Sequence, residues 1–442
     1  MENSLDPSST PYFQTLRGFH DILPDDSDYY TLIKKVVRHR GRQAGFRRIS
    51  TPILEASEVF TRGIGDTSEI VQKEMFSMLS HSGKSMSLKP EGTAGVVRSY
   101  IEHGMMNLPQ PVQLYYIEPH FRYDRPQKGR YRQFHQFGLE VIGGRDPSID
   151  AQVILLAQKI LADLQIADRF TLQINTIGNM AVRDNYNNAL RDYFYGKERH
   201  LTPELLVHLE KNPLRLFDTK DEDLKILLAL APKLQDFLDA ESRNYYDEIK
   251  SFLTEMRMPF VENTSLVRGL DYYTDIVFEF WDKHDGAQNA IGGGGRYDGL
   301  VELMGGRATP ATGAAFGVER IIAHMKDAEV APPRKDKMHV FVAQLGGVAK
   351  KKAVRILSEL HDAGVHAIGA VGKASMKYQL ELANKFDVDW AVLLGEIEVK
   401  DNTAILRNMR AGTQEIMPLP QVTARVVELV GPENLDTYRI GE

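Results

Sequence analysis

Two strand-forming runs with an interruption that no strand can cross are the tightest constraint on this chain. Residues 112–121 read Val-Gln-Leu-Tyr-Tyr-Ile-Glu-Pro-His-Phe and residues 134–142 read Phe-His-Gln-Phe-Gly-Leu-Glu-Val-Ile, both rich in β-branched and aromatic side chains. Between them, residues 122–132 include Pro126, which has no amide to give a ladder, and Gly129. The pattern predicts a strand, long loop, strand hairpin whose loop holds five bases and one acid, a local charge of +4. Strand period is two, so Phe134, Gln136, Gly138, Glu140 and Ile142 share one face and His135, Phe137, Leu139 and Val141 the other. Gln136 and Glu140 thus point the same way, with no side chain at Gly138 to fill the gap. Such a face could floor a small polar ligand; a solvated face of an antiparallel sheet is the commoner explanation.

Other segments organise around this hairpin. A first helix is predicted after Pro24, Asp25 and Asp26, with Asp25 or Ser27 as N-cap and Tyr29, Tyr30, Ile33, Val36 and Val37 on its buried face. From Lys34 to Arg48 there are seven basic residues and no acid, read more simply as a solvated helix face than as a nucleic-acid patch. Val153, Leu156, Ala157, Ile160, Leu161 and Leu164 form a core stripe on a helix begun near Pro147 and Ser148. Residues 180–258 turn helical and charged without catalytic-looking clusters, which predicts an inserted helical subdomain. Strand-like sequence returns at 265–281, before a glycine tract at 292–295 and a short alternating stretch ahead of Gly313. Residues 327–337, with paired prolines and mixed charge, read as a linker. Beyond it the pattern resets to strand 338–344, helix 350–363, strand 366–371, helix 375–386 and strand Trp390–Leu394, predicting a small α/β domain over 338–442 with a largely parallel sheet.

Composition removes several chemistries. With 442 residues and about 150 per domain, two or three domains are expected. The chain has 54 Lys plus Arg against 60 Asp plus Glu, so a polyanion must be gripped by local patches rather than by overall charge. The absence of cysteine excludes disulfides, thiolate zinc sites and cysteine nucleophiles. No apolar run approaches a membrane span and residues 1–10 lack a signal-peptide core, so a cytoplasmic chain is expected. The tract Gly292-Gly293-Gly294-Gly295-Arg296-Tyr297-Asp298-Gly299 fits neither the Walker loop nor the dinucleotide fingerprint, leaving a close backbone approach or a plain turn. His-Glu-x-x-His and Gly-x-Ser-x-Gly are also missing. Arg320 falls in the first turn of a helix with core positions Val318, Ile321, Ile322 and Met325. A cation there opposes the helix dipole, so it is either tolerated on the surface, the commoner case, or held for an anion.

Taken together these segments resemble class II aminoacyl-tRNA synthetases, and within them the histidyl-tRNA synthetase family, from Leu16 to the C-terminus. Gly45-Phe46 through Thr51-Pro52-Ile53-Leu54 resembles motif 1 of the class. Phe121-Arg122 through Phe134-His135-Gln136-Phe137-Gly138-Leu139-Glu140 resembles motif 2, and Gly313 through Gly317-Val318-Glu319-Arg320 resembles motif 3. The more specific pieces are Arg268-Gly269-Leu270-Asp271-Tyr272-Tyr273 and Gly293-Gly294-Gly295-Arg296-Tyr297-Asp298, with Arg17-Gly18-Phe19-His20-Asp21 and Leu88-Lys89-Pro90-Glu91-Gly92-Thr93 beside them.

The resemblance implies an α/β protein with an α+β catalytic domain over 1–330, an antiparallel class II sheet flanked by helices, the helical insertion 180–258, and an anticodon-binding domain over 338–442. It implies a ligase that joins L-histidine and ATP to histidyl-adenylate, releases pyrophosphate, and passes histidine to the 3' end of tRNA(His). Arg122, Arg268 and Arg320 would be catalytic. Glu91, Thr93, Arg122, Gln136, Glu140, Arg268, Tyr272 and Tyr273 would bind histidine, and Arg122, Asp124, Phe134, Arg268 and Arg320 would bind ATP. Arg125, Gln127, Lys128, Arg130 and Arg132 would meet the tRNA acceptor end. Mg2+ would accompany the triphosphate, with no protein ligand singled out, and motif 1 would build a homodimer. Position 124 departs from the family in being Asp where Glu is more usual, and the turn at Asp275 departs from the commoner Asn or Gly. The alternative is a non-catalytic, synthetase-like regulatory subunit of ATP phosphoribosyltransferase, which lacks the C-terminal domain and typically the Arg268 motif.

Overall fold

The computed structural model describes residues 13–65, 68–126, 129–219, 221–284, 290–332, 337–369, 372 and 375–436. Contacts divide the chain into two compact units, Met1–Pro332 and Pro333–Glu442. The first is built on β1 (Arg47–Arg48), β2 (Leu54–Ala56), β3 (Ser77–Leu79), β4 (Ser85–Leu88), β5 (Val112–Phe121), β6 (Gln133–Ile142), β7 (Phe170–Thr176), β8 (Phe260–Glu262), β9 (Thr274–Asp282), β10 (Gly292–Arg296) and β11 (Ala311–Gly317). Eight of these form one sheet in the order β1-β5-β6-β11-β10-β9-β7-β8, while β2-β4-β3 form a small second sheet. In the large sheet only the edge strands β1 and β8 pair in parallel. The predicted strand, long loop, strand hairpin is formed, and the β5–β6 pairing keeps one register from Val112↔Ile142 to Phe121↔Gln133.

Helical stripes cover one face of the sheet. Helix α1 (Pro24–Gln43) buries Tyr30, Ile33 and Val37, and its basic residues Lys34, Lys35, Arg38 and Arg42 are exposed. Neither Asp25 nor Ser27 caps it: Leu23 is the N-cap without a side-chain bond, Pro24 opens the helix, and Asp25 and Asp26 sit in the first turn, where the dipole favours acids. After α2 (Ser57–Ile64) and α3 (Thr93–Glu102), α4 (Pro147–Asp163) starts at Asp146, whose carboxylate accepts from Ser148 N at 2.9 Å. Its predicted stripe joins Phe137, Leu139 and Val141 of β6 in the main core.

Residues 180–258 contain α5 (Met180–Phe194), α6 (Pro203–Lys211), α7 (Glu222–Ala229) and α8 (Ala240–Glu255). Phe194, Leu201, Leu216, Leu224 and Leu228 form a small core of their own. Helix α8 instead sends Tyr245, Tyr246, Ile249 and Leu253 into the main core, so this part of the stretch is integral to the sheet unit. Strand structure is absent over 263–273 and resumes at Thr274, so the strand-like composition of 265–281 overstates the strand. Asp275 sits at φ 51°, and the β9–β10 register slips between Gly295 and Arg296, a bulge that ends regular pairing there.

Helices α9 (Leu300–Leu303) and α10 (Val318–Asp327) belong to unit one, and unit two begins with β12 (Val340–Gln344), α11 (Gly347–Asp362), β13 (Ala367–Gly369), α12 (Met376–Lys385) and β14 (Trp390–Leu394). Its sheet order is β13-β12-β14-β15-β16, with β15 (Thr403–Asn408) and β16 (Gln414–Pro418) antiparallel and the first three strands parallel. Apolar clusters pack both faces, as expected for a parallel sheet between helices.

The glycine tract is an inner strand rather than a turn. A Cβ on Gly294 would lie 1.9 Å from the Gly313 carbonyl oxygen, and one on Gly292 would lie 2.3 Å from the Phe316 ring. Backbone there has no room to yield. Gly294→Ala should therefore destabilise unit one by about 1–3 kcal/mol or more, whereas Gly299→Ala, with nothing within 4 Å, should change little. Denaturant unfolding midpoints decide it, and equal shifts would refute the close approach.

Candidate active site

The site begins with a tyrosine. Gly138 pairs across β6 with Tyr116 of β5, and a Cβ on Gly138 would lie 2.1 Å from Tyr116 Cζ. A Cβ on Gly92, at the start of α3, would lie 2.2 Å from the same atom. The ring is thus held between two glycines. The gap inferred at Gly138 is filled by the cross-strand neighbour, and the polar face of β6 is covered instead of solvated. One position along the same face, Glu118 pairs with Lys89 Nζ, which also donates to Thr51 O at 3.1 Å, all three residues being buried.

On that floor Glu140 is 1% exposed and accepts hydrogen bonds from Tyr297 OH and, at 2.8 Å, from Thr93 Oγ1. Register explains the position: Glu140 pairs with Gly313, where a Cβ would meet Glu140 Oε2 at 2.0 Å. Burial pushes the Glu140 carboxyl up to about 8, against the pull of the Tyr297 and Thr93 hydroxyls. Glu91 accepts from the first amides of α3, Thr93 N at 2.7 Å and Ala94 N at 2.8 Å. Its carboxyl is also raised by burial, which outweighs those amides and Arg122. Tyr272 and Tyr273 lie 4.8 Å apart by ring centroid, and Tyr272 is 5.6 Å from Tyr297. The buried amide oxygen Gln136 Oε1 has no hydrogen-bond partner among the described residues.

Glu91, Thr93, Gln136, Tyr272, Tyr273 and Tyr297 line a cavity of about 780 Å³ together with Arg122, Arg268 and Arg320, whereas Glu140 does not line it and reaches it only through its bonds to Thr93 and Tyr297. Arg122 Nε donates to Pro90 O at 2.8 Å and its guanidinium lies 5.5 Å from the Phe134 ring centre. Burial lowers its pKa, partly offset by Glu74 and Glu91. Arg268 pairs with Glu279 and lies 5.7 Å from the Tyr273 ring; burial draws it down, but Glu279 and Tyr273 leave it raised on balance. Arg320 donates to Ala290 O and is pushed down to about 10 by burial and then by Arg130 and Arg122. The reading of Arg320 as a tolerated surface cation is therefore overturned: it lines the cavity. Three cations gathered at one wall favour an anion there.

Asp124 and Phe134 also line the cavity, and Asp124 accepts from Arg125 N at 2.6 Å and from Arg130 Nη1 at 3.4 Å. Arg130 faces the cavity with it, Arg125 is exposed, and Arg132 stacks 3.6 Å over Tyr123 while donating to Arg17 O at 3.2 Å. Gln127 and Lys128 lie outside the described residues. Sequence reasoning gave no role to Tyr297, Tyr116, Glu74 or Glu279, nor to Thr202, Glu204, Leu205, His208 and Arg215 of the insertion, which wall the cavity. The helical stretch is thus not remote from the site. Tyr297 was within reach, since it falls inside a quoted motif; the insertion residues carried no signal, because their approach is purely tertiary.

The sequence matches the family model described as histidyl-tRNA synthetase over residues 18–321 and the anticodon binding domain over residues 339–429. It is 42% identical to the histidine–tRNA ligase of Dehalococcoides mccartyi over 94% of this chain and 99% of that one. The corresponding ligase of Acetivibrio thermocellus is 40% identical over 93% and 99%. Among solved structures, apo S. aureus histidyl-tRNA synthetase superposes with a TM-score of 0.78 at 32% identity, covering 94% of this chain and 99% of that one. A Bacillus halodurans structure described as an ATP phosphoribosyltransferase regulatory subunit/histidyl-tRNA synthetase shares the fold, with a TM-score of 0.60 at 19% identity over 88% of this chain and 100% of that one.

Glu140 gives the site a pH signature. Its folded pKa lies above that of an ordinary carboxyl, so between about 4.5 and 8 the native state keeps a proton that the unfolded chain has lost. That contribution is complete below the unfolded value and disappears as pH rises through the folded one. Glu140→Gln should therefore lessen the fall in thermal stability across this window. Parallel pH slopes for variant and parent would show that Glu140 does not titrate as described.

Proposed function

The chain belongs to the histidyl-tRNA synthetase family, and from that premise we propose that the 780 Å³ cavity joins histidine to ATP and hands the histidyl group to tRNA(His). It is a histidine–tRNA ligase rather than the regulatory subunit considered above, since an anticodon binding domain follows the synthetase region. The observation that carries the cavity assignment is the meeting of one anion-seeking wall, Arg122, Arg268 and Arg320, with a buried carboxylate and tyrosine floor.

Histidine's α-amino group fits beside Glu91, Thr93 and the unpartnered oxygen of Gln136. Its neutral imidazole is one donor and one acceptor. Glu140 would accept from one ring nitrogen and Tyr273 donate to the other, with Tyr272 packed alongside and Tyr297 holding Glu140 in place. A side chain lacking that pair leaves both partners unsatisfied, which can discriminate by on the order of 10⁴. ATP would lie along the arginines, with Phe134 as an apolar surface and Asp124 nearby. The histidine carboxylate is already ionised at neutral pH, so the first step needs no general base: its oxygen attacks the α-phosphorus and pyrophosphate leaves. Arg122 and Arg268 would hold the α-phosphate from two sides and Arg320 the γ-phosphate, stabilising charge as it develops.

The terminal ribose hydroxyl of the tRNA then attacks the histidyl carbonyl and AMP leaves. Arg125 and Arg130, with Arg132, Gln127 and Lys128 on the same loop, would guide the acceptor end, while residues 339–429 take the anticodon. Mg2+ would travel with the triphosphate; among the described residues no cluster of three carboxylate or imidazole donors offers it a protein cage, so the phosphates would supply much of its coordination. We also assign a homodimer through the motif 1 segment, where β1 is an uncovered sheet edge in this chain, and a cytoplasmic location. No described helix is long and apolar enough to cross a membrane.

Histidine-dependent exchange of pyrophosphate into ATP tests the reading; histidine binding without exchange would overturn it. Arg268→Ala should lower exchange by roughly 10²–10³ while tRNA affinity stays near that of the parent. Removing residues 338–442 should depress tRNA charging far more than exchange. Equal losses would mean that this domain serves folding instead.

A further inference from the structure

The loop that bears Arg268, Tyr272 and Tyr273 is gripped from the helical insertion. Asp271 Oδ1 accepts from Asn212 Nδ2 at 2.7 Å and from Arg215 Nε at 2.8 Å, while Arg215 Nη2 donates to Gly269 O at 2.7 Å. Arg183 on α5 adds a second clamp from a single nitrogen, its Nη1 donating to Tyr273 O at 2.6 Å and Asp271 O at 3.2 Å. Arg183, Asn212 and Arg215 are all buried. From the other side, Asp271 N donates to Ile64 O at 3.2 Å and Ser68 Oγ to Gly269 O at 3.3 Å.

This loop lies between β8 and β9 and has no strand partner, so its carbonyls must be satisfied by side chains. A guanidinium does this with fixed geometry, because its donors are coplanar and one fork spans a carboxylate and a neighbouring carbonyl. Arg215 therefore fixes both the side chain of Asp271 and the Gly269–Leu270 peptide, one residue beyond Arg268. The insertion also walls the cavity through Thr202, Leu205 and His208.

We propose that Arg215, acting through Asp271 and the Gly269 carbonyl, is a positioning residue for Arg268, so that the insertion sets the geometry for adenylate formation before any tRNA is bound. This rests on the cavity being the adenylation site. A displacement of about 1 Å at a reacting centre can cost on the order of 10² in rate, which is the scale expected if the fork is lost.

The test is pyrophosphate exchange on the full-length protein without tRNA, with kcat and KM resolved for Arg215→Ala, Arg215→Lys, Asp271→Asn and the Arg215→Ala/Asp271→Asn pair. Arg215→Ala should lower kcat by roughly 10- to 100-fold with the KM for histidine within about twofold. Arg215→Lys should recover only part, having a point charge in place of a fork. The double variant should lose no more than Arg215→Ala alone. Should Arg215→Ala fail to fold, the near-isosteric Asp271→Asn still has to show a kcat loss. Unchanged kcat in Asp271→Asn, or losses that multiply in the double variant, would overturn the proposal. Absence of exchange in the parent protein would instead strike the adenylation reading itself.

Discussion

The ring of Tyr116, wedged between Gly92 and Gly138, is the contact on which the site is built. It joins the sheet to the first turn of α3 without any intervening side chain. Any larger residue at either glycine would lift that helix start from the sheet, and Glu91 and Thr93 would move with it. Thr93 in turn holds one oxygen of Glu140 and Tyr297 holds the other. One aromatic ring therefore sets the spacing between two strands, a helix terminus and the buried Glu140 carboxyl.

Charge is sorted across the cavity. Burial raises the carboxyls of Glu91 and Glu140 and lowers the guanidinium of Arg122. Arg320 is lowered by burial and also by its cationic neighbours. Burial thus works against charge on the carboxyl side and on two of the three arginines, while Glu279 and Tyr273 keep Arg268 raised. The arginines are held by different partners: a carbonyl for Arg122 and Arg320, Glu279 for Arg268. Preorganisation of that kind is what lets charge stabilisation act without reorganisation at the moment of reaction.

The hairpin face was legible because strand period follows from backbone geometry alone. Gln136 and Glu140 share that face as their spacing requires. What lay on top of Gly138 was not legible, since the missing volume is supplied by Tyr116 from another strand and by register, which a single run of residues does not encode. For the glycine tract the sequence left a close backbone approach and a plain turn open, and the crowding by Gly313 and Phe316 on β11 decides for the first. Helical stripes on α1 and α4 were readable, but the N-cap of α1 was not, because Pro24 starts the helix with no capping side chain. Arg320 broke a local rule, and such breaks tend to fall where a site needs them.

The buried Lys89–Glu118 pair has an evolutionary consequence. Both ends are almost completely enclosed, and Thr51 shares their bonds. Losing one end strands the other as a lone charge away from water, at a cost of roughly 3–5 kcal/mol, whereas exchanging both for apolar groups of like volume can be neutral. Lineages can therefore drift at positions 89 and 118 only in concert, and this hidden couple should change, where it changes at all, by a jump between two tolerated states rather than by single steps.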